Sequence, residues 1–170
     1  MKKTMIILTA AISLLTACSD KKKTTTADNS SSVKEETGLT VNEGEGKTGS
    51  FSVNGTSFNG KSSTQYFGDK VTGQFSVLCQ QDEPFALLQA VFNNEKSASG
   101  NLKPAGSSYS VAPGDAHIAL SGTAIGDKEF TTGSGSTGSI TAGDHTLVLK
   151  DLKLFNSDKQ EKTVSATIAY

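Results

Sequence analysis

Two cysteines and two histidines stand among the 170 residues of this chain, and thiol, imidazole or metal chemistry would have to start from them. Structural zinc sites set their ligands in closely spaced pairs, whereas Cys18, Cys79, His117 and His145 lie far apart. A histidine could activate one of the many serines as a nucleophile. Yet no G-x-S-x-G segment is present to hold such a serine on a strained turn between strand and helix. Cys79 falls in phase with Phe75 and Val77, so it reads as a small buried hydrophobe and not as a nucleophile. His117 belongs to an alternating run, and Asp144-His145 reads as a hairpin turn. Asp115, Asp127, Glu129, Asp144 and Asp158 all fall in expected turns, where Asp bonds its own backbone. No D-x-D-x-D-G loop suggests calcium. These residues assign no catalytic, cofactor-binding or metal-binding role, and the chain is read as a non-enzyme without a cofactor.

Two glycine-rich stretches imitate phosphate loops. Gly44-Glu-Gly-Lys-Thr-Gly49 fits G-x-G-x-x-G and contains Gly-Lys-Thr, but position 41 is Val where a Walker loop needs Gly. A phosphate loop also requires a helix whose first amides face the anion. This stretch precedes an expected strand, as does Gly133-Ser-Gly-Ser-Thr-Gly138. Both are connectors.

Cys18 has a more telling setting. Lys2 and Lys3 form a positive start, Met5 to Leu15 form an apolar run broken only by Thr9 and Ser13, and Leu15-Thr16-Ala17-Cys18 follows. The run is too short to span a bilayer, which takes roughly 20 apolar residues, and has the form of a secretory signal. Leu-Thr-Ala would also serve a plain signal peptide cut after Ala17. With Cys at that position, residues 1–18 resemble the signal segments of bacterial lipoproteins. The resemblance implies cleavage between Ala17 and Cys18, a diacylglyceryl thioether on Cys18 and acylation of the new amino group. Stable anchoring takes two or more acyl chains, each buried methylene contributing about 0.8 kcal/mol. Inner-membrane lipoproteins often carry Asp after the acylated Cys; Ser19 stands there instead, which favours the outer membrane.

Past Cys18 the composition changes. Residues 19–47 contain no aromatic and only Ala27, Val33, Leu39 and Val41 as apolar side chains. Such a segment cannot offset its conformational entropy by burial, so 18–47 is expected to be a lipidated Cys followed by a disordered tether. Its flexible span is about 30 Å by the square-root rule. Lys21-Lys22-Lys23 reads as solvated charge beside the anchor.

All eight Phe and all three Tyr fall within 48–170, which is expected to form a single domain. Nine Lys face eleven Asp and Glu there, and the chain has no Arg. Nucleic-acid binding, which needs a cationic surface and favours the Arg fork, is excluded as a function class.

The domain has the periodicity of strands. Phe51 and Val53 alternate with serines ahead of Asn54-Gly55, a strong hairpin signal. Val71, Gly73, Phe75, Val77 and Cys79 share one face of the next expected strand. Residues 85–92 are apolar on both faces and read as a buried central strand, although Asp82 and Pro84 also offer a helix start. Ala124-Ile125 and Glu129-Phe130 flank a turn at Gly126-Asp127. Leu147 and Leu149 lie out of phase with Leu152 and Leu154, which predicts a β-bulge near Lys150-Asp151. Val164, Ala166, Ile168 and Tyr170 close a final hairpin.

Turn clusters every 8 to 12 residues imply about 8–10 short strands, so the fold class is all-β. The architecture is an antiparallel β-sandwich or partly closed barrel, preceded by a signal helix and a disordered linker. Val53-Asn54-Gly55, the 138–149 stretch and Ile168-Ala169-Tyr170 resemble uncharacterised bacterial lipoproteins with one small β domain. The expected function is a membrane-anchored, non-catalytic binding or envelope-structural module, with a protein, glycan or small apolar ligand as partner. The alternative is a lipid-anchored hydrolase or hydrolase inhibitor whose site residues are scattered. A transmembrane β-barrel is disfavoured because most runs are shorter than the roughly 9 to 11 residues such strands need.

Overall fold

The computed structural model describes residues 39–42 and 46–170. The expected signal helix, cleavage site, acylated Cys18 and Lys21-Lys22-Lys23 lie outside the described residues.

The expected Asn-Gly hairpin forms from β2 (Thr48–Val53) and β3 (Thr56–Phe67), with Asn54 and Gly55 at φ 48° and 87°. Both angles are positive, as a two-residue turn matched to strand twist requires. Here β3 is 12 residues long and uses both edges. Thr56 to Lys61 pair with β2, while Lys61 to Phe67 pair with β4 (Gln74–Gln81). Gly60 sits at the changeover, where a β-carbon would lie 2.3 Å from the carbonyl oxygen of Gln80. Only a residue without a side chain lets the two strands come that close.

This double pairing closes the sheet. The further strands are β5 (Ala86–Phe92), β6 (Gly100–Pro104), β7 (Asp115–Ser121), β9 (Ser139–Gly143), β10 (Thr146–Phe155) and β11 (Glu161–Ala169). The ring runs β3-β2-β11-β10-β9-β6-β7-β5-β4 and returns to β3, making a nine-stranded barrel. It is mixed, because β6 and β7 are parallel while the other neighbours in the ring are antiparallel. The all-β expectation holds, and the sandwich alternative gives way to closure. A sandwich leaves sheet edges exposed, whereas β3 here has partners on both sides.

Two short strands complete the wall. β8 (Phe130–Thr131) pairs with both β7 and β10, bridging them where β6 does not reach. β1 (Leu39–Asn42) pairs with Thr64 to Phe67 on the edge of β3 that β2 leaves open. Four residues of the expected tether are therefore strand, since an unpaired edge gains hydrogen bonds from any extended segment beside it.

Segment 86–92 is a strand, as its two-sided apolar pattern predicts. The bulge also falls where expected: the β10–β11 register shifts between Leu149 and Leu152, and Asp151 has φ 47°. Two other expectations fail. Val71 and Gly73 belong to a turn ahead of β4, in which the Asp69 carboxylate accepts from the amides of Val71 and Thr72 and the Asp69 carbonyl accepts from Gly73. Ala124-Ile125 is likewise a turn, held by Ala124 N–H donating to Phe85 O, so that only Phe130–Thr131 remains strand in that region.

Alternation sorts the side chains. Phe51, Phe75, Val77, Leu88, Ile118, Leu147, Leu152 and Ile168 are buried in the core. Thr48, Ser50, Asn59, Lys61 and Thr167 alternate with buried neighbours and are exposed. An outer-membrane barrel has the reverse arrangement, with an apolar band outside and a polar interior. The long strands β3 and β10 meet the length requirement for spanning, so side-chain placement, not length, argues against a membrane-embedded barrel.

Candidate functional site

Charged and polar groups converge on aromatic side chains at one end of the barrel. Tyr66 comes from the end of β3, Phe75 from the start of β4, and Tyr170 from just beyond β11. Their rings lie 5.1 Å apart for Tyr66–Phe75 and 5.7 Å apart for Phe75–Tyr170. Spacings of this order suit tilted aromatic pairs. The pattern places these rings inward at their strand ends, so they form a floor. A 3-10 turn over Glu95–Ser97, capped by the Asn94 side chain accepting from Ser97 N–H, brings Glu95 to the rim.

The resulting cavity is about 200 Å³ and is lined by Lys47, Ser62, Tyr66, Lys70, Glu95 and His145, among others. The Glu95 carboxylate lies near the Tyr66 phenol. Burial, reinforced by that carboxylate, pushes the phenol up to about 12 from 10.0. Tyr170 is also raised, first by burial and then by the charge of Glu95. Both phenols therefore stay protonated across the physiological range. Lys70 Nζ lies 5.5 Å from the Tyr66 ring centroid, a cation–π distance. Lys47 Nζ donates to the main-chain oxygen of Tyr170.

The histidines take different roles. His145 occupies the turn between β9 and β10 at φ 54°, its ring edge-on to Tyr170 at 5.9 Å. His117 is buried on the outer side of β7, where Nδ1 lies 3.1 Å from Ala105 O. Thr132 Oγ1 donates to the same carbonyl and accepts from Ile118 N–H, so the cluster fastens the loop after β6 to the barrel wall.

Ser62, Glu95 and His145 line one cavity, the set of types from which a hydrolase is imagined. Their hydrogen bonds lead elsewhere. Ser62 donates to Ala169 O, and His145 packs on Tyr170. A nucleophile needs its base within hydrogen-bond reach and that base oriented by a third group, a linkage not seen among these three.

Cys79 is buried beside Gly49, where a β-carbon would lie 2.9 Å from its sulfur. Burial pushes its thiol up from 9.0 to about 11, which suppresses the reactive thiolate. Of Asp115, Asp127, Glu129, Asp144 and Asp158 only Glu129 and Asp158 share a groove, where Asp158 pairs with Lys128; Asp115 begins β7, and Asp127 and Asp144 have φ 45° and 49°. Among the described residues no group of three His, Cys, Asp or Glu could hold a metal ion. Residues 133–138 lead into β9, with Gly138 at φ 108° tight against the backbone of the bulge.

Sequence reasoning missed the cavity because Lys47, Tyr66, Glu95, His145 and Tyr170 are drawn from across the domain. One signal was available: Tyr66, Phe75 and Tyr170 each mark a strand end. Comparison of the chain with protein-family models, curated proteins and solved structures finds no match.

Proposed function

We propose that the chain is a bacterial lipoprotein that holds a non-catalytic binding barrel at the cell envelope. In this reading Cys18, exposed by cleavage after Ala17, carries the acyl chains. Ser19 supports the outer membrane over the inner one. The domain works through the aromatic-floored cavity at the end of the barrel. The supporting observation is that cavity itself: three buried rings meet Lys47, Lys70, Glu95 and His145 at one mouth. A few polar groups converging over an apolar floor are the usual composition of a ligand site. The charged rim weighs toward a polar partner such as a glycan, and against a small apolar ligand.

The experiment is fractionation of the Cys18→Ala variant together with mass spectrometry of the mature terminus. The variant is expected to fold but to leave the membrane fraction, and the wild-type terminus is expected to carry acyl chains. A variant that still sediments with membranes at high salt refutes the anchor.

The lipid-anchored hydrolase remains a second reading, favoured by Ser62, Glu95 and His145 sharing the cavity. It requires the Ser62 hydroxyl to leave Ala169 O for the imidazole. Turnover of ester or glycoside substrates that disappears in Ser62→Ala would support it over simple binding.

A further inference from the structure

Building on the anchored reading above, on which it depends, we infer that the barrel lies against the lipid surface through one outer flank of its mouth end, with Phe67, Val71 and Tyr109 entering the headgroup layer. Among the described residues four large apolar side chains are exposed, and three of them gather there. Tyr109 is 95% exposed, Val71 66% and Phe67 52%. Single exposed hydrophobics are ordinary, but grouped ones mark an interaction surface.

Chain geometry brings the three together. Phe67 ends β3 and pairs with Gln74 at the start of β4, and since Tyr66 and Phe75 are buried, alternation puts Phe67 and Gln74 on the outer face. The turn joining these strands carries Val71. The Gln74 amide donates to Ser108 O at 2.8 Å, which holds Tyr109 beside that hairpin end. Both supports are tied down. The Asp69 carboxylate accepts from the amides of Val71 and Thr72 and from the Thr72 hydroxyl, while Asn93 donates to Val111 O on the far side of Tyr109.

Where the chain enters the barrel points to the occupant. Leu39 of β1 pairs with Phe67, so the segment leading back to Cys18 joins at this same end. Twenty residues separate Cys18 from Leu39, a reach of at most about 70 Å. An acylated Cys18 therefore keeps the flank at high effective concentration above the bilayer, and weak contacts suffice.

The charge distribution agrees. Residues 104–114 carry no charged side chain and Asp69 balances Lys70 in the hairpin turn, whereas the opposite end displays Asp82, Glu83, Asp127, Lys128 and Asp158. Apolar contact, not lipid charge, drives the docking. Tyr109 suits the headgroup layer because its ring is apolar and its hydroxyl can stay wet. None of the three side chains lines the cavity, so docking and ligand binding use different residues.

The chain has no Trp, so one introduced Trp reports a single place. Tyr109→Trp and, at the opposite end, Phe85→Trp are expressed as the whole chain, purified and reconstituted with phosphatidylcholine vesicles carrying brominated acyl chains. Vesicle flotation reads the anchor, and emission reads the flank. Both variants should float, and Tyr109→Trp should shift to shorter wavelength and be quenched several-fold more strongly than Phe85→Trp, at low and high salt alike. Adding Val71→Asp to Tyr109→Trp should relieve most of that quenching without releasing the protein. All three positions are exposed, so the variants keep the fold.

Equal quenching at the two ends, or none for Tyr109→Trp in protein that floats, overturns the docked flank and leaves the anchor standing. A short-wavelength Tyr109→Trp emission before vesicles are added assigns the patch to a second copy or to another part of the chain, and overturns the lipid surface. Protein that neither floats nor is quenched overturns anchor and docking alike. Quenching of a protein whose terminus carries no acyl chain supports the flank and refutes the anchor alone.

Discussion

Where β2 turns into β3, the barrel is stoppered by the buried side chains of Ile125 and Phe130, whereas at the far end buried Tyr66 and Tyr170 keep company with Glu95, Lys47 and Lys70. Both ends are buried and each sets a lysine over a ring, Lys70 over Tyr66 and Lys162 over Phe130, yet only the mouth sets a carboxylate near a buried phenol. The stoppered end is built for stability: the Gly122–Gly126 turn folds Ile125 inward and is tied to Phe85 O through Ala124 N–H. At the mouth, burial and the nearby Glu95 carboxylate raise the Tyr66 phenol to about 12, which keeps it neutral beside that charge. A half-buried carboxylate among rings is a local conflict that binding sites tolerate and purely structural ends have no reason to keep.

The sharpest way to break that contrast is to hollow out each end. Phe130→Ala removes a nearly buried ring from the stopper and is expected to cost about 3–5 kcal/mol, the range for large-to-small core changes. Tyr66→Phe keeps its ring and loses only the hydroxyl near Glu95, so about 1 kcal/mol is expected. Urea unfolding of both variants provides the measurement. If Tyr66→Phe costs as much as Phe130→Ala, the mouth is a structural plug and the division fails.

Alkaline titration separates the ends next. Tyr66 ionises near pH 10 when unfolded and near 12 when folded, so the unfolded state loses its proton first. Stability from this group is intact below pH 10 and falls as pH rises toward 12, by about 2–3 kcal/mol in all. Cys79, raised from 9.0 to about 11, adds its own decline beginning near pH 9. The informative quantity is therefore the difference in slope between wild type and Tyr66→Phe. A slope unchanged by the substitution would mean that the phenol is not buried against Glu95.

How much of this was legible depends on how local each cause is. The Asn54-Gly55 turn, the strand at 86–92 and the bulge at Asp151 follow from neighbours a few positions apart, and all three stood in the sequence. Closure did not, because it depends on β3 pairing along both edges, and Gly60 looks like any other glycine until the Gln80 carbonyl is set against it. Val71 misled for a related reason: its phase matches Phe75, but the Asp69 carboxylate captures its amide for a turn. The cavity was least visible of all. Lys47 and Tyr170 meet across 123 positions, and no spacing rule reaches that far.

A smaller effect of opposite sign is expected just outside the mouth. Ser76 is fully buried on the outer side of β4, and its hydroxyl has no hydrogen-bond partner. A buried donor left unmatched carries its desolvation penalty without return. Ser76→Ala should therefore stabilise the protein by about 1 kcal/mol, read as a higher urea midpoint at unchanged slope. A loss of stability would show that the hydroxyl has a partner, and the contrast would narrow to the cavity alone.

The smallest effect is expected at the stoppered end itself, where Lys128 and Asp158 form an ion pair with about half of each side chain exposed. Lys128 holds the Asp158 carboxyl below the usual carboxylate range, so its contribution is present near neutrality and fades as pH drops through the folded-state value. Solvent and salt screen such a pair, and ordering two side chains offsets most of the attraction. Asp158→Asn should accordingly leave the urea midpoint at pH 7 within measurement error, at low and high salt alike. The stopper would then owe its strength to Ile125 and Phe130. A salt-sensitive drop in midpoint would instead mean that charge helps close both ends, and only the carboxylate near a buried phenol would distinguish the mouth.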